Sequence, residues 1–208
     1  MHRGRHKAHG FTSDESSSRP QSLGVTRVRS DIVDVYRDRG EADAVTRSWK
    51  VRPFERSEFE SWTRLFRGYC DFYHWPTSNE HQRQIWSWIH DECTVEALAA
   101  IEIDDSGREI GQPQGLAHLR EWVRPLRGIK CGYLDDLFVE PTVRGHGAVD
   151  ALFTEIDRLA GERGWGVVRW TTADDNYRAR GIYDQVAERT HWITYDMTPT
   201  VPQEPPPR

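Results

Sequence analysis

The stretch LDDLFVEPTVRGHG, residues 134–147, places two adjacent carboxylates, Asp135 and Asp136, at one end. At the other end stand Arg144, Gly145, His146 and Gly147, followed by Ala148, Val149 and an amphipathic helical pattern. A glycine turn that opens a helix leaves successive backbone N–H groups without intrahelical partners, at the positive end of the helix dipole. An anion fits that geometry, glycines let its oxygens approach the main chain, and Arg144 adds a fixed cation. His146 is a further candidate donor. The carboxylates suit a cation, an amine above all. Side chains alternate along a regular strand, so Asp135 and Asp136 are expected on opposite faces, with Asp135 beside Tyr133 and Leu137. On that reading only one of them meets the cation, and the two cannot act as a paired acid and base. Neither the GxxxxGK[ST] nor the GxGxxG nucleotide-binding pattern is present.

The elements that must position these residues follow from periodicity. WKVRPF, beginning at Trp49, alternates as a strand does. Phe59, Trp62, Leu65, Phe66, Tyr69 and Phe72 recur at helical steps, and Pro76 ends that run. A second helix carries Ile85, Trp86, Trp88 and Ile89, with Thr77, Ser78 or Asn79 as its cap. TVEALAAIEI, QGLAHLREW and CGYLDDLFV read as three strands, the first two joined by an Asp-Ser-Gly turn. Val149, Leu152, Phe153, Ile156, Leu159 and Ala160 line one face of a helix over 148–163, with Gly164 as its left-handed stop. GVVRWTT then reads as a strand, NYRARGIYDQVAE as a helix and HWITYDM as a last strand. That order predicts an α/β domain with a mixed sheet, in which the 148–163 crossover makes its flanking strands parallel.

Length and composition bound the rest. At 208 residues the chain has room for one domain and a tail. The formal net charge of -5 argues against a strongly basic polyanion binder, so a nucleic-acid partner is not expected. Three cysteines without CxxC spacing argue against a zinc site or a disulfide framework, and no metal is expected. No apolar run approaches a membrane span, and a cytoplasmic protein is the expectation. Residues 1–45 are polar and serine-rich, expected to be a disordered extension with six Lys or Arg against two acids in its first thirty positions. A short helix could form near residues 30–45. The folded domain is expected over 46–198, and 199–208 as a proline-rich tail.

Two segments carry a resemblance. LFVEPTVRGHGAVDALFTEI resembles the acetyl-coenzyme A signature of the GNAT superfamily of N-acetyltransferases, in which a strand ending V-x-P precedes [RQ]-x-x-G-x-[GA] and a helix. Arg144 and Gly147 match, and Val149 stands where Gly or Ala is usual. NYRARGIYDQVAE is similar to the N-x-x-[AS]-x-x-x-Y segment of the second cofactor helix. The resemblance spans about residues 48–197, and it is strongest toward a branch that includes yeast histone, polyamine and D-amino acid acetyltransferases. YLDDLFV is also similar to the Y-L-E-D strand of diamine acetyltransferases.

What the resemblance implies is a single GNAT-like domain, with a mixed central sheet of about six to seven strands flanked by helices and parallel strands splayed at the cofactor site. Acetyl-coenzyme A would be the co-substrate and a small primary amine the acceptor. The backbone of Leu137, Phe138 and Val139 would pair with the pantetheine amides. Residues 144–149 would hold the diphosphate, and Asn176 would bond the pantetheine arm. Tyr183 would be the general acid toward the thiolate. Asp135 aligns with the acid favoured as base or ammonium anchor in the diamine enzymes. Asp136 and a water chain remain open for that role. Phe72, Tyr73 and Trp75 offer aromatic faces to an ammonium. Acetylation of a protein or aminoacyl-tRNA, and a non-catalytic cofactor-binding module, are the alternatives; a homodimer is left open.

Overall fold

The computed structural model of the chain describes residues 47–200. The expected N-terminal extension, the helix near 30–45 and residues 201–208 of the proline-rich tail lie outside the described residues. Strand β1 (Ser48–Pro53) leads to helices α1 (Phe59–Phe72) and α2 (Asn79–His90). Three strands follow: β2 (Glu96–Ile103), β3 (Glu109–Arg124) and β4 (Ile129–Val139). Helix α3 (Ala148–Arg163), strand β5 (Val168–Arg169) and helix α4 (Tyr177–Val186) complete the order. Among the described residues the sheet has five strands in the order β1-β2-β3-β4-β5. The first three pairings are antiparallel, and β5 lies parallel to β4 because α3 crosses between them.

Local chemistry explains the boundaries. Ser78 accepts the His81 backbone N–H at 3.1 Å, which selects it from the three candidate caps of α2. Gly164, at φ 65°, takes the left-handed conformation that ends α3. Strand β2 is apolar on both sides because both faces of the sheet are covered. Leu98 and Ala100 join a core with Leu119, Leu134, Leu152 and Ile156, under α3. Ala97, Ala99 and Ile101 face the other way, onto Trp62, Leu65, Phe66 and Ile85 of α1 and α2.

The sheet is one or two strands smaller than expected. HWITYDM alternates as a strand should, yet residues 187–199 carry no regular structure, and Trp192, Ile193, Tyr195 and Met197 are exposed. β-Propensity needs a partner edge to act on. Strand β5 supplies only two ladder residues, Val168 and Arg169, against Gly132 and Tyr133.

Gly132 is where the ring of Trp165 lies directly against β4; a Cβ at that position would overlap the ring carbons. Gly132→Ala is expected to lower unfolding free energy by about 1–3 kcal/mol, the usual cost of overpacking a filled site. Urea denaturation measures it, and an unchanged midpoint would mean that Trp165 moves aside freely.

Candidate active site

Strand β4 does not alternate regularly through its two carboxylates. Ala117 pairs with Leu137 and His118 with Asp136, but the next residue, Leu119, pairs with Leu134. Asp135 is therefore an extra residue, a β-bulge. Leu134 and Leu137 both pack toward α3 although they are three positions apart. The two residues between them consequently both turn to the other face. Asp136 lies against His118, Nδ1 to Oδ2 at 2.7 Å, and Asp135 against Arg120, 2.9 Å from Nε to Oδ2. His118 and Arg120 are two apart on β3 and share that face. The expectation that Asp135 and Asp136 point to opposite faces is thus corrected, because the inserted residue breaks the alternation on which it rested.

The environments of the two acids differ. Burial raises the Asp135 carboxyl above its ordinary value, outweighing the Arg120 hydrogen bond and charge. Burial also opposes ionisation of Asp136, but His118, chiefly through its hydrogen bond, and then the neighbouring Tyr69 outweigh it and hold that carboxyl below its ordinary value. Arg120 also lies over the Tyr133 ring, 4.6 Å from its centre.

Beyond Tyr133 the ladder between β4 and β5 stops, and β4 runs on to Val139 with β3 alone beside it among the described residues. This open wedge is bounded by Leu137, half-buried toward α3, and by the buried Phe138 and Val139. At its far end the turn before α3 has Gly145 at φ 86° and Gly147 at φ 88°, conformations that side chains with a Cβ rarely adopt. The Trp49 indole donates to the His146 carbonyl at 2.6 Å and ties this turn to β1. The His146 Nδ1 is buried without a hydrogen-bond partner. Ala148 is buried, and Val149 packs its side chain onto the α3 core.

Arg144 donates from Nε to the Val139 carbonyl at 2.9 Å, and its guanidinium lies over Phe138. Burial and the neighbouring Arg178 push it below its ordinary value. Two cations thus approach each other, and neither forms an ion pair among the described residues. Glu140, the nearby acid, is taken by Arg64.

Arg178 also lines a cavity of about 480 Å³ with Phe72, Tyr73, Ala173 and Asn176. Asn176 caps α4, its Oδ1 accepting the Ala179 N–H at 3.3 Å. Trp75 is exposed and lies outside that lining. Tyr183 packs against Trp170 and Phe153, with ring centres 5.3 and 6.0 Å away. Burial, then Tyr73, push its phenol up to about 12, so Tyr183 carries its proton at neutral pH. Tyr69 feels both Asp136 and Tyr183, which links the carboxylate to the tyrosine end of the site.

The sequence profile of the acetyltransferase (GNAT) family matches residues 46–187. The chain belongs to the GNAT family. It is an acyltransferase, an N-acetyltransferase by family. Over 146 residues it is 28% identical to the D-amino-acid N-acetyltransferase HPA3 of Saccharomyces cerevisiae, covering 70% of this chain and 88% of that protein. Ribosomal-protein-alanine N-acetyltransferase from Brucella melitensis biovar Abortus 2308 superposes with a TM-score of 0.59 at 20% identity, over 73% of this chain and 99% of the other. Aminoglycoside N-acetyltransferase AAC(6')-Iy, solved with CoA, gives 0.61 at 15% identity, over 73% and 95%. These two likenesses establish a shared GNAT fold.

Several residues of this GNAT site escaped the sequence reading. Trp62 and Tyr69 were legible only as apolar helix positions, and His118 only as part of a strand. A histidine inside an otherwise apolar run was the available signal. Arg178 sits two residues after Asn176 within a recognisable segment, yet only the packing of α4 reveals that it approaches Arg144.

Carbon-13 NMR of the carboxyl groups should show Asp135 titrating above, and Asp136 below, the ordinary aspartate value of about 3.9. Arg120 stabilises the charged form of Asp135, so Arg120→Ala should raise that carboxyl further. The reverse order of the two acids would contradict the bulge geometry.

Proposed function

We propose that the chain transfers the acetyl group of acetyl-coenzyme A to the primary amine of a small molecule, such as a polyamine or an amino acid, within a ternary complex. The observation that carries this reading is the approach of Arg144 and Arg178, neither ion-paired among the described residues, with two left-handed glycines following Arg144 at the mouth of the β4–β5 wedge. Cations in such a pair repel until an anion separates them, and main-chain N–H groups at the start of α3 add donors for its oxygens. The similarity to a relative named for D-amino acids supports a small acceptor.

As donor substrate, acetyl-coenzyme A supplies a diphosphate to be gripped and an acetyl thioester to be attacked. Residues 144–149 and Arg178 hold the diphosphate. The β4 edge at Leu137, Phe138 and Val139 offers main-chain groups to the pantetheine amides, and the Asn176 Nδ2 offers a donor from the opposite wall. The acceptor arrives as an ammonium, with an ordinary value of about 10, and must lose a proton before its nitrogen is nucleophilic. The face that bears the two carboxylates receives it, with Phe72 and Tyr73 as aromatic walls. Tyr183 holds a proton for the departing thiolate, and its apolar packing on Trp170 and Phe153 fixes the direction in which it is given.

Arg144→Ala and Arg178→Ala should each weaken acetyl-coenzyme A binding about tenfold or more, as loss of a charged hydrogen bond does. Calorimetric titration reads this; unchanged affinity in both would remove the phosphate role. Tyr183→Phe should lower kcat about 100-fold in a thiol-release assay, with cofactor affinity within about twofold. Full turnover by that variant would exclude Tyr183 as the acid.

A further inference from the structure

His118 is 2% exposed and faces α1, its ring against those of Trp62 and Phe66. The Trp62 Nε1 lies 2.9 Å from the His118 Nε2. An indole nitrogen can only donate, so Nε2 is the acceptor and the ring proton sits on Nδ1. That Nδ1–H donates to the Asp136 Oδ2 at 2.7 Å. The Tyr69 phenol lies beside the same carboxylate, and each shifts the proton affinity of the other. Trp62 is wholly buried, so the ring is locked from behind.

The result is an unusual carboxylate. Asp136 is held by the His118 ring, with the Tyr69 phenol beside it, and no Lys or Arg pairs with it among the described residues. A carboxylate has about four acceptor positions, so the His118 donor leaves room for more. Asp135, by contrast, has its charge answered by Arg120. Asp136 also adjoins Tyr69, which in turn feels Tyr183. Asp136 is therefore the acid of the two without a Lys or Arg partner among the described residues, on the side of the proposed proton donor.

We propose that Asp136, rather than Asp135, meets the acceptor's ammonium, and that His118, its tautomer set by Trp62, is the positioning residue that aims it. This rests on the acetyltransferase reading above and goes further by naming which acid works and what orients it. The groups facing Asp136 are Tyr69 and Cys70 from α1, His118 and Arg120 from β3, and Asp135 within β4. Without the Nδ1–H donor, burial raises the Asp136 carboxyl. The activity that depends on its ionised form then fails first at low pH and recovers as pH rises.

Three measurements on the full chain test this. Histidine ring nitrogen-15 spectra of the wild type, assigned with His118→Asn, should show His118 with an unprotonated Nε2. Asp136→Asn should lower kcat/KM for the amine about 100-fold while acetyl-coenzyme A affinity stays within about twofold, and Asp135→Asn should cost less. His118→Phe should lose roughly tenfold more activity near pH 6 than near pH 8, and His118→Asn, whose amide can still donate, should narrow that gap. An Nε2–H tautomer, a larger loss in Asp135→Asn, or an equal loss at every pH in both His118 variants overturns the proposal. If His118→Phe does not fold, the ring spectrum and the two aspartate variants still decide. A wild type that acetylates no amine overturns the acetyltransferase reading itself, before any variant is compared.

Discussion

Strand β4 has one residue more than β3 can pair, and the site is arranged around that mismatch. The extra residue is Asp135, between Leu134 and Asp136. A bulge strengthens local twist and bends its strand. Just before it, at Tyr133, the parallel ladder to β5 ends, and the wedge opens from there to Val139. The same insertion brings two acids to one face, where a regular strand would have buried one of them under α3. Groove and carboxylate pair thus share one backbone irregularity.

The charges of the site are separated along the wedge. At the α3 end Arg144 and Arg178 approach, neither ion-paired among the described residues, while the nearby Glu140 is bonded to Arg64. At the bulge end Asp136 is kept ionised chiefly by the His118 hydrogen bond. The Arg120–Asp135 pair is half-exposed and contributes at most about 1 kcal/mol to stability. Its greater effect is to occupy Asp135 and leave Asp136 as the acid without a cation. Under the proposed function, a diphosphate at one end and an ammonium at the other would answer both charges at once.

Rigid packing holds these ends in place. The Trp49 indole fastens the glycine turn to β1, so the first strand among the described residues braces a loop nearly one hundred residues later. Trp62 lies at the centre of the aromatic cluster under α1 and α2, stacked on Phe66 at 5.1 Å, and it donates into the site through His118. Core and site are continuous at that residue.

Much of this was legible in the sequence. The spacing of Val149, Leu152, Phe153, Ile156 and Leu159 specified α3 to its observed limits, with Gly164 as its stop. The RGHG turn and the Asn176–Tyr183 spacing marked the family, because both are local requirements of backbone conformation and helical period. The last strand was misread because alternation in HWITYDM is a local pattern, while a strand exists only where an edge accepts it. The faces of Asp135 and Asp136 were misread for a related reason: a bulge is a property of two strands in register and leaves no mark on one. Residue types and short spacings thus determined the elements, the family and the glycine turn. Strand register and helix packing alone decided that Arg178 meets Arg144, that His118 meets Asp136, and that both acids share a face. Those meetings join residues far apart in the chain, and only the closing of the sheet brings them within hydrogen-bonding or charge range.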